Sequence, residues 1–286
     1  MRDNPWLARR VIAYAHQGGA KAAPSSTLYS IARALDNGAT GIELDVHATS
    51  DGHLVVCHDK TLERTTNGTG EVASTSLKDL RQLDNAYWFC EGQDAVAGRP
   101  EGDYVLRGRA PTDRRLGVAT LKEVLEAFPG IVLNLDIKRS APEVVAYEHT
   151  LALELNNYGR GDDVIVASFT DAATDAFAKW APHIGISAGT AATMEFYRRA
   201  SAGQDPQEGI ERYVALQVPA HLGPLRVVEK RFVDTAHSCG LAVHVWTVDD
   251  PTEMEYLVAL GVDGIISDCP SVLARELVRL GASWNR

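Results

Sequence analysis

Short apolar runs alternate with longer stretches of helical periodicity along most of the chain. Short runs rich in β-branched residues favour buried strands, whereas apolar residues spaced three and four apart favour helices. The runs predict eight strands, at residues 11–15, 41–46, 131–137, 164–168, 184–187, 213–218, 241–246 and 264–267. The stretches between them predict helices at residues 27–37, 142–157, 171–181, 227–238 and 251–260.

The alternation of strands and helices predicts the fold class. In the first helical stretch Thr27 can cap the amino end, and Leu28, Ile31 and Leu35 recur at helical spacing. Strands that alternate with helices form parallel sheets, and eight is the number that closes a barrel. We therefore predict an α/β fold, a (β/α)8 TIM barrel, as a single domain over residues 1–286. An open doubly wound sheet is the alternative, but no glycine-rich fingerprint follows the first strand.

One segment, residues 91–117, interrupts the alternation. It is rich in Gly, Pro, Asp and Arg and shows little periodicity. A loop of this length in a compact domain is usually either functional or disordered. Because it comes after the second strand and its helix, we predict an insertion near the barrel mouth. It contains four arginines that either attract an anionic substrate or simply lie in solvent, namely Arg107, Arg109, Arg114 and Arg115.

Composition and charge narrow the possible partners. Apolar residues make up 45% of the chain and charged residues 23%, as in ordinary globular proteins. The formal net charge is -10, which argues against nucleic acid, since binding its backbone requires Lys and Arg. A small anionic substrate is compatible with this charge, because a bound cation can reverse the field inside one pocket. The sequence leaves the oligomeric state open.

The cysteines and the apolar segments indicate the cellular compartment in which the protein is expected. The four cysteines are Cys57, Cys90, Cys239 and Cys269, and their spacing fits neither a disulfide framework nor a zinc site. The apolar run at residues 11–15 is too short for a signal peptide or a membrane span, and no later segment is long enough. We therefore expect a cytoplasmic protein without stable membrane insertion.

Carboxylates on two predicted strands indicate a cation site. Side chains alternate along a strand, so Glu43 and Asp45 share the face opposite their apolar neighbours and point into the barrel. Asp136 and Lys138 point inward from the third strand in the same way. Buried carboxylates repel one another, and a cation relieves that repulsion. Oxygen ligands alone favour Mg²⁺ or Ca²⁺, so we predict Glu43, Asp45 and Asp136 as ligands of one divalent cation and Lys138 as a phosphate contact.

Two histidines lie at the ends of apolar runs beside these carboxylates. His16 ends the first predicted strand, and His58 follows the run at residues 54–57. Histidine exchanges protons near neutral pH, so the pair predicts a general acid and a general base. Among the remaining seven histidines, which we expect at the surface or in supporting positions, His244 alternates with outward residues and should face the lumen.

An ordered set of motifs in this chain resembles the glycerophosphodiester phosphodiesterase family. The family's N-terminal signature is matched between residues 16 and 80 at Gly38-Ala39, Ile42-Glu43-Leu44-Asp45-Val46, Thr49, Asp51-Gly52, Val55, His58-Asp59, Leu62, Arg64-Thr65-Thr66, Gly68 and Gly70. Later segments match its L-E-I-K, S-F-D, W-T-V and G-V-D-G-I motifs at Leu135-Asp136-Ile137-Lys138, Ser168-Phe169, Trp246-Thr247-Val248 and Gly261-Val262-Asp263-Gly264-Ile265. The matches run in register over most of the chain, which makes the set more specific than any one motif.

The resemblance implies a phosphodiesterase that depends on Mg²⁺ or Ca²⁺. Its substrates would be glycerophosphodiesters, split into glycerol 3-phosphate and an alcohol. In the usual scheme of the family, the glycerol 2-hydroxyl attacks first and water then opens the cyclic phosphate. The family's metal ligands, catalytic histidines and phosphate lysine fall on the residues named above. In addition, Gln17 and Trp246 fall on a phosphate-binding position and on the pocket wall.

Three departures from the family pattern limit what the resemblance implies. H-R-G is His16-Gln17-Gly18 here, P-E-N-T is Pro24-Ser25-Ser26-Thr27, and the Glu of L-E-I-K is Asp136. Gln cannot replace the charged fork that Arg offers to phosphate. The joint loss of the Arg and of the Glu now replaced by Ser25 represents either a compensated exchange, weaker turnover or a different diester. A lysophospholipase D-type enzyme on the same fold and a phosphodiester-binding module without turnover remain alternatives.

Overall fold

The computed structural model describes residues 4–8 and 11–284. Its strands are β1 Ile12–His16, β2 Gly41–Ala48, β3 Leu54–Val56, β4 Val132–Ile137, β5 Val164–Ala167, β6 Gly185–Ala188, β7 Ala215–Pro219, β8 His221–Leu222, β9 Leu225–Arg226, β10 Ala242–Trp246 and β11 Gly264–Ser267. Its helices are α1 Pro5–Ala8, α2 Leu28–Asp36, α3 Leu77–Leu80, α4 Leu121–Ala127, α5 Glu148–Asn157, α6 Asp171–Ala178, α7 Thr190–Ala202, α8 Lys230–Ser238, α9 Pro251–Leu260 and α10 Pro270–Arg279. The ends of the predicted domain, residues 1–3 and 285–286, lie outside the described residues.

Eight parallel strands form a closed barrel. Their order around it is β1, β11, β10, β7, β6, β5, β4 and β2, and β2 pairs with β1 to complete the ring. Helices separate the strands in sequence, which confirms the (β/α)8 barrel and excludes the open doubly wound sheet. The eight predicted runs correspond to these eight strands, with ends that differ by at most two residues. Strand β3 is an additional antiparallel neighbour of β2.

Two predicted helices begin later than their periodicity suggests. The helix predicted at residues 142–157 starts at Glu148, because Val144 bonds back to Ser140 in a turn and the Tyr147 hydroxyl donates to Val46 O at 2.6 Å. The helix predicted at residues 227–238 starts at Lys230. There the backbone N–H of Val227 donates instead to Ala220 O, beside the β8–β9 hairpin. No helix in the described part of the chain has the length and apolar character needed to cross a bilayer.

The core has an outer and an inner part. Outward side chains of the strands pack against the helices in one large apolar cluster. Inward side chains near the amino ends of the strands, including Ile12 and Tyr14, form a second cluster with Trp6 of α1. The His244 ring lies in this lumen, with its centroid 5.3 Å from that of Tyr14 and 6.2 Å from that of Trp6, as expected from its strand position. The apolar floor leaves the carboxyl ends of the strands for polar side chains.

The predicted insertion, residues 91–117, lies between α3 and α4. Its first part is attached to the loop after β1, since the N–H of Gly92 donates to Lys21 O at 2.7 Å. Arg107 neither reaches the site described below nor lies free in solvent, because its guanidinium is 3.7–4.6 Å from the ring centroids of Tyr87, Trp88 and Tyr104. Cation–π contact of this kind binds the insertion to the chain that precedes it.

Candidate active site

Parallel register brings the predicted acidic residues together at the carboxyl ends of the strands. His16 of β1 lies beside Glu43 of β2, and Asp45 of β2 lies beside Asp136 of β4. All four side chains point into the barrel, where Glu43, Asp45 and Asp136 are at least nine-tenths buried. Lys138 follows β4, and its ammonium lies between two of the carboxylates, 2.8 Å from Asp45 Oδ1 and 3.1 Å from Asp136 Oδ2.

The three buried carboxylates repel one another, although the ammonium of Lys138 lies between two of them. Burial and the charge of Asp45 hold the pKa of Glu43 above its usual range. Burial likewise raises the pKa of Asp136, although Lys138 opposes the shift. Within residues 4–8 and 11–284, Asp45 Oδ2 and Asp136 Oδ1 are buried and accept no hydrogen bond. Buried carboxylate oxygens without partners are costly, so these atoms would gain from a further cation.

The donor set can be compared with what a divalent cation requires. Hard cations such as Mg²⁺ and Ca²⁺ prefer oxygen ligands, and Glu43, Asp45 and Asp136 supply only oxygens. In donor type, charge and burial the three carboxylates therefore fit such an ion. Among the described residues, however, no three His, Cys, Asp or Glu side chains converge closely enough to form a ligand set as they stand. The ammonium of Lys138 occupies the space between two of the carboxylates instead.

His16 is held by a carboxylate on each side of its ring. Its Nδ1 lies 2.7 Å from Asp268 Oδ1, and its Nε2 lies 3.9 Å from Glu43 Oε2. Burial alone would lower the pKa of His16, but the hydrogen bond with Asp268 and the charges of both carboxylates raise it to about 9. Asp268 fixes the orientation of the imidazole, so that Nε2 faces the acidic cluster.

His58 is oriented in the same way from the other side of the site. Its Nδ1 lies 2.6 Å from Asp59 Oδ1, and Asp59 Oδ2 accepts from Arg64 Nε at 2.5 Å. Burial opposes the shift, but hydrogen bonds from His58 and Arg64 hold the pKa of Asp59 well below its usual value. The ring centroids of His16 and His58 are 5.8 Å apart, with planes at 85°. Two oriented imidazoles at this separation are suited to move protons on opposite sides of one small group.

Gln17 connects the first histidine to the turn that follows β1. It is 3% exposed and its φ of 54° lies in the left-handed region, a strained conformation of the kind found at functional sites. Its N–H donates to Glu43 Oε2 at 3.1 Å, and its Nε2 lies 3.2 Å from His16 Nε2. Its Oε1 accepts from Ser25 Oγ at 2.5 Å and from Arg64 Nη2 at 3.4 Å. Both the oxygen and the nitrogen of the carboxamide thus contact neighbouring side chains.

The contact between Gln17 and Ser25 predicts that these two departures from the family pattern are coupled. Gln17→Arg alone should give little gain or a loss in kcat/KM, because the new charge lacks a carboxylate partner at position 25. Gln17→Arg with Ser25→Glu should exceed the sum of the single changes. A double-mutant cycle on kcat/KM should give a coupling of about 0.5–3 kcal/mol, as is common for residues in contact. Additive single changes would show that the two positions are independent.

Aromatic side chains line one side of the opening. Trp246, at the end of β10, packs edge to face against Phe169, with ring centroids 5.7 Å apart. Phe169 is 58% exposed, and the ammonium of Lys138 lies 5.7 Å from its ring centroid. Trp246 therefore lies at the rim beside Phe169, whose ring in turn is near the lysine predicted to contact phosphate.

The structure brings all eight predicted site residues to one end of the barrel and adds residues that the sequence reasoning left without a role. Asp268 follows the last strand, and the carboxyl end of a barrel strand was the signal that could have identified it. Asp59 and Arg64 belong to motifs that match the family, but their contacts with His58 and Gln17 depend on how a loop folds.

Comparison with known proteins identifies relatives along nearly the whole chain. Residues 16–272 match the model of the glycerophosphoryl diester phosphodiesterase family. A glycerophosphodiester phosphodiesterase of Caldanaerobacter subterraneus is 32% identical over 278 residues, which cover 95% of this chain and 99% of that protein. A protein of the same name from Bacillus subtilis is 29% identical, covering 92% of this chain and 85% of its own length.

Solved structures share the fold at lower identity. A glycerophosphoryl diester phosphodiesterase domain from Mycobacterium tuberculosis superimposes with a TM-score of 0.74 at 20% identity, covering 94% of this chain and 99% of that one. A phosphodiesterase of Oleispira antarctica, solved in complex with the product sn-glycerol-3-phosphate, gives 0.70 at 20% identity, covering 96% and 98%. Both similarities confirm the barrel.

Proposed function

The chain belongs to the glycerophosphoryl diester phosphodiesterase family, and from this premise we propose that it splits glycerophosphodiesters into glycerol 3-phosphate and an alcohol with the help of one divalent cation. It is a phosphoric diester hydrolase. The observation that carries the proposal is the pair of imidazoles, His16 and His58, each held through Nδ1 by a carboxylate and facing the acidic cluster. Binding alone would not need a pair of proton-transfer groups, which argues against a module without turnover.

The proposed reaction proceeds in two steps. In the first, one histidine takes the proton of the glycerol 2-hydroxyl as that oxygen attacks phosphorus. The bond from phosphorus to the alcohol oxygen breaks, and the other histidine protonates the departing alcohol. In the second, the histidines exchange roles, water attacks the cyclic phosphate, and the bond to the 2-oxygen breaks. The products of the two steps are one alcohol and one glycerol 3-phosphate.

The remaining predicted residues have supporting roles in this proposal. Glu43, Asp45 and Asp136 would hold Mg²⁺ or Ca²⁺, and the ion would stabilise phosphate charge and lower the pKa of the attacking hydroxyl. Lys138 would contact a phosphate oxygen, Gln17 would lie beside the phosphate, and Trp246 would form the wall against the glycerol or the alcohol. The Oleispira antarctica relative supports the product, because its complex contains sn-glycerol-3-phosphate on the same fold.

The exposed Phe169 beside Trp246 favours a second substrate class, the lysophospholipids. An aromatic surface at the rim can receive an acyl chain while the phosphate reaches the histidines. Reaction in the cytoplasm is consistent with the cysteines, all four of which lie within the described residues and are free thiols.

Two product assays on a panel of diesters test the proposal. One measures glycerol 3-phosphate released from the deacylated diesters, and the other measures choline released from lysophosphatidylcholine, whose second product is a lysophosphatidic acid. The panel contains glycerophosphocholine, glycerophosphoethanolamine, glycerophosphoglycerol and lysophosphatidylcholine, each assayed with Mg²⁺ or Ca²⁺. We expect release from at least one deacylated diester. Hydrolysis of lysophosphatidylcholine alone would indicate the lysophospholipase D-type activity, and no hydrolysis of any diester would contradict the proposal.

A further inference from the structure

The cation that could bind phosphate from the side of Gln17 is Arg64. Three cationic side chains lie around the site, but Lys138 is enclosed by Asp45 and Asp136, and Lys21 lies 2.7 Å from Asp249 Oδ2. The Arg64 guanidinium is linked indirectly to both histidines. It contacts Asp59, which contacts His58, and it contacts Gln17, which contacts His16. Since position 17 lacks the family's arginine, the guanidinium nearest to it comes from position 64.

Hydrogen bonds hold the turn that carries Arg64. Thr66 donates through both its N–H and its Oγ1 to Leu62 O, and Thr65 Oγ1 donates to Asn85 Oδ1 at 2.7 Å. Both threonines are buried, whereas the Arg64 side chain is 31% exposed. The turn therefore fixes the backbone from which the arginine side chain extends towards Asp59 and Gln17.

We propose that Arg64 is a substrate-binding residue that grips the phosphate of the diester, and that Gln17 acts mainly by orienting this guanidinium. The inference rests on the proposed function and specifies how the same site holds its substrate. An arginine has five N–H donors, and among the described residues only two of those of Arg64 have an acceptor, Nε with Asp59 and Nη2 with Gln17. The remaining donors can pair with phosphate oxygens in the forked geometry that a lysine cannot offer.

A purely structural role for Arg64 would leave a different signature. If it only held Asp59 against His58, its loss would disturb the orientation of His58 and lower kcat. If it binds phosphate, its loss should weaken the binding of substrate and product with a smaller effect on kcat. Binding of glycerol 3-phosphate separates the two, because it needs phosphate contacts but no proton transfer.

The test compares wild type with Arg64→Gln, Arg64→Lys and the exchange Arg64→Gln with Gln17→Arg. Calorimetry measures the Kd of glycerol 3-phosphate with Mg²⁺ present, and steady-state kinetics measure KM and kcat for the diester that is hydrolysed best. Arg198→Gln is the matched control, because this arginine is paired with Glu195 on the outer face of α7. Thermal melts verify that each variant is folded.

We expect Arg64→Gln to raise both Kd and KM by about 10- to 100-fold, the usual cost of losing a hydrogen bond to a charged group, while kcat changes less than about threefold. The Kd and KM of Arg64→Lys should lie between those of wild type and Arg64→Gln, since lysine keeps the positive charge but not the forked pair of donors. The exchange should recover part of the affinity by moving the guanidinium to position 17. Arg198→Gln should behave as wild type.

Three results would overturn the assignment: wild type that binds no glycerol 3-phosphate, folded Arg64→Gln with unchanged Kd, or a fall in kcat without a change in Kd. The calorimetry needs no turnover, so it distinguishes this inference from the proposed function. Suppose that the wild-type protein binds glycerol 3-phosphate through Arg64 but hydrolyses no diester. That result would refute the proposed reaction, but Arg64 would still be a phosphate-binding residue.

Discussion

His16→Ala and His58→Ala are each expected to lower kcat by about 10²–10⁴-fold, the usual contribution of a positioned acid or base. Each ring has its Nδ1 fixed by a carboxylate, which leaves Nε2 of His16 directed at the acidic cluster and places the ring of His58 close to it. The double variant should lose far less than the product of the two single losses, because groups that act as a unit are not additive. Steady-state kinetics on glycerol 3-phosphate release measure all three variants.

His53→Ala provides the matched control for the histidine variants. His53 lies in the exposed turn after β2, outside the site, and its loss should leave kcat unchanged. A near-wild-type kcat for either site variant would assign that histidine a structural role only. Additive losses in the double variant would show that the two imidazoles act independently.

Removal of divalent cations is expected to abolish hydrolysis, and Mg²⁺ or Ca²⁺ should restore it. The physical reason is the crowding of three buried carboxylates, Glu43, Asp45 and Asp136, whose charges repel one another. Two of their buried oxygens also have no hydrogen-bond donor within the described part of the chain. A cation that stabilises phosphate charge contributes several kcal/mol, so we expect a loss on the order of 10³-fold or more. The measurement is turnover after exhaustive chelation, followed by titration with each ion.

Asp45→Asn tests the same prediction through the affinity of the protein for the divalent cation. The variant should fold but bind Mg²⁺ or Ca²⁺ more weakly in calorimetry, because it removes one charged oxygen ligand. Asp234→Asn, which alters an exposed aspartate on α8, should bind the ion as wild type does. Full activity after chelation, or equal ion affinity in wild type and Asp45→Asn, would contradict a metal role for these carboxylates.

Local patterns in the sequence were sufficient for the eight barrel strands and for several of the helices between them. The helix predicted at residues 251–260 has these bounds in the structure, since Asp250 caps it, Pro251 occupies its first position and Gly261 takes the left-handed conformation after it. Strand alternation likewise predicted that Glu43, Asp45 and Asp136 point inward, and this is confirmed. The periodicity did not predict the late start of α8, because that start depends on the hydrogen bond from Val227 N–H to Ala220 O beside the hairpin.

Contacts between distant parts of the chain could not be read from such patterns. His16 and Asp268 are 252 positions apart and meet only because the first and last strands are neighbours in the closed ring. The position of Lys138 between Asp45 and Asp136, and of Arg64 beside Gln17, is set by side-chain conformations and a folded loop. The sequence therefore predicted the chemistry of the site better than the partners of each residue.

The closure of the barrel floor by Trp6 has a consequence for the order of events in a catalytic cycle. Trp6 is 1% exposed and packs with Tyr14 and His244 across the amino end of the lumen. The barrel is thus closed at its amino end, so a ligand that enters through the mouth must also leave through the mouth. In the proposed reaction, a glycerol 3-phosphate that has not yet departed would obstruct the next diester, so we expect accumulated product to inhibit the enzyme competitively.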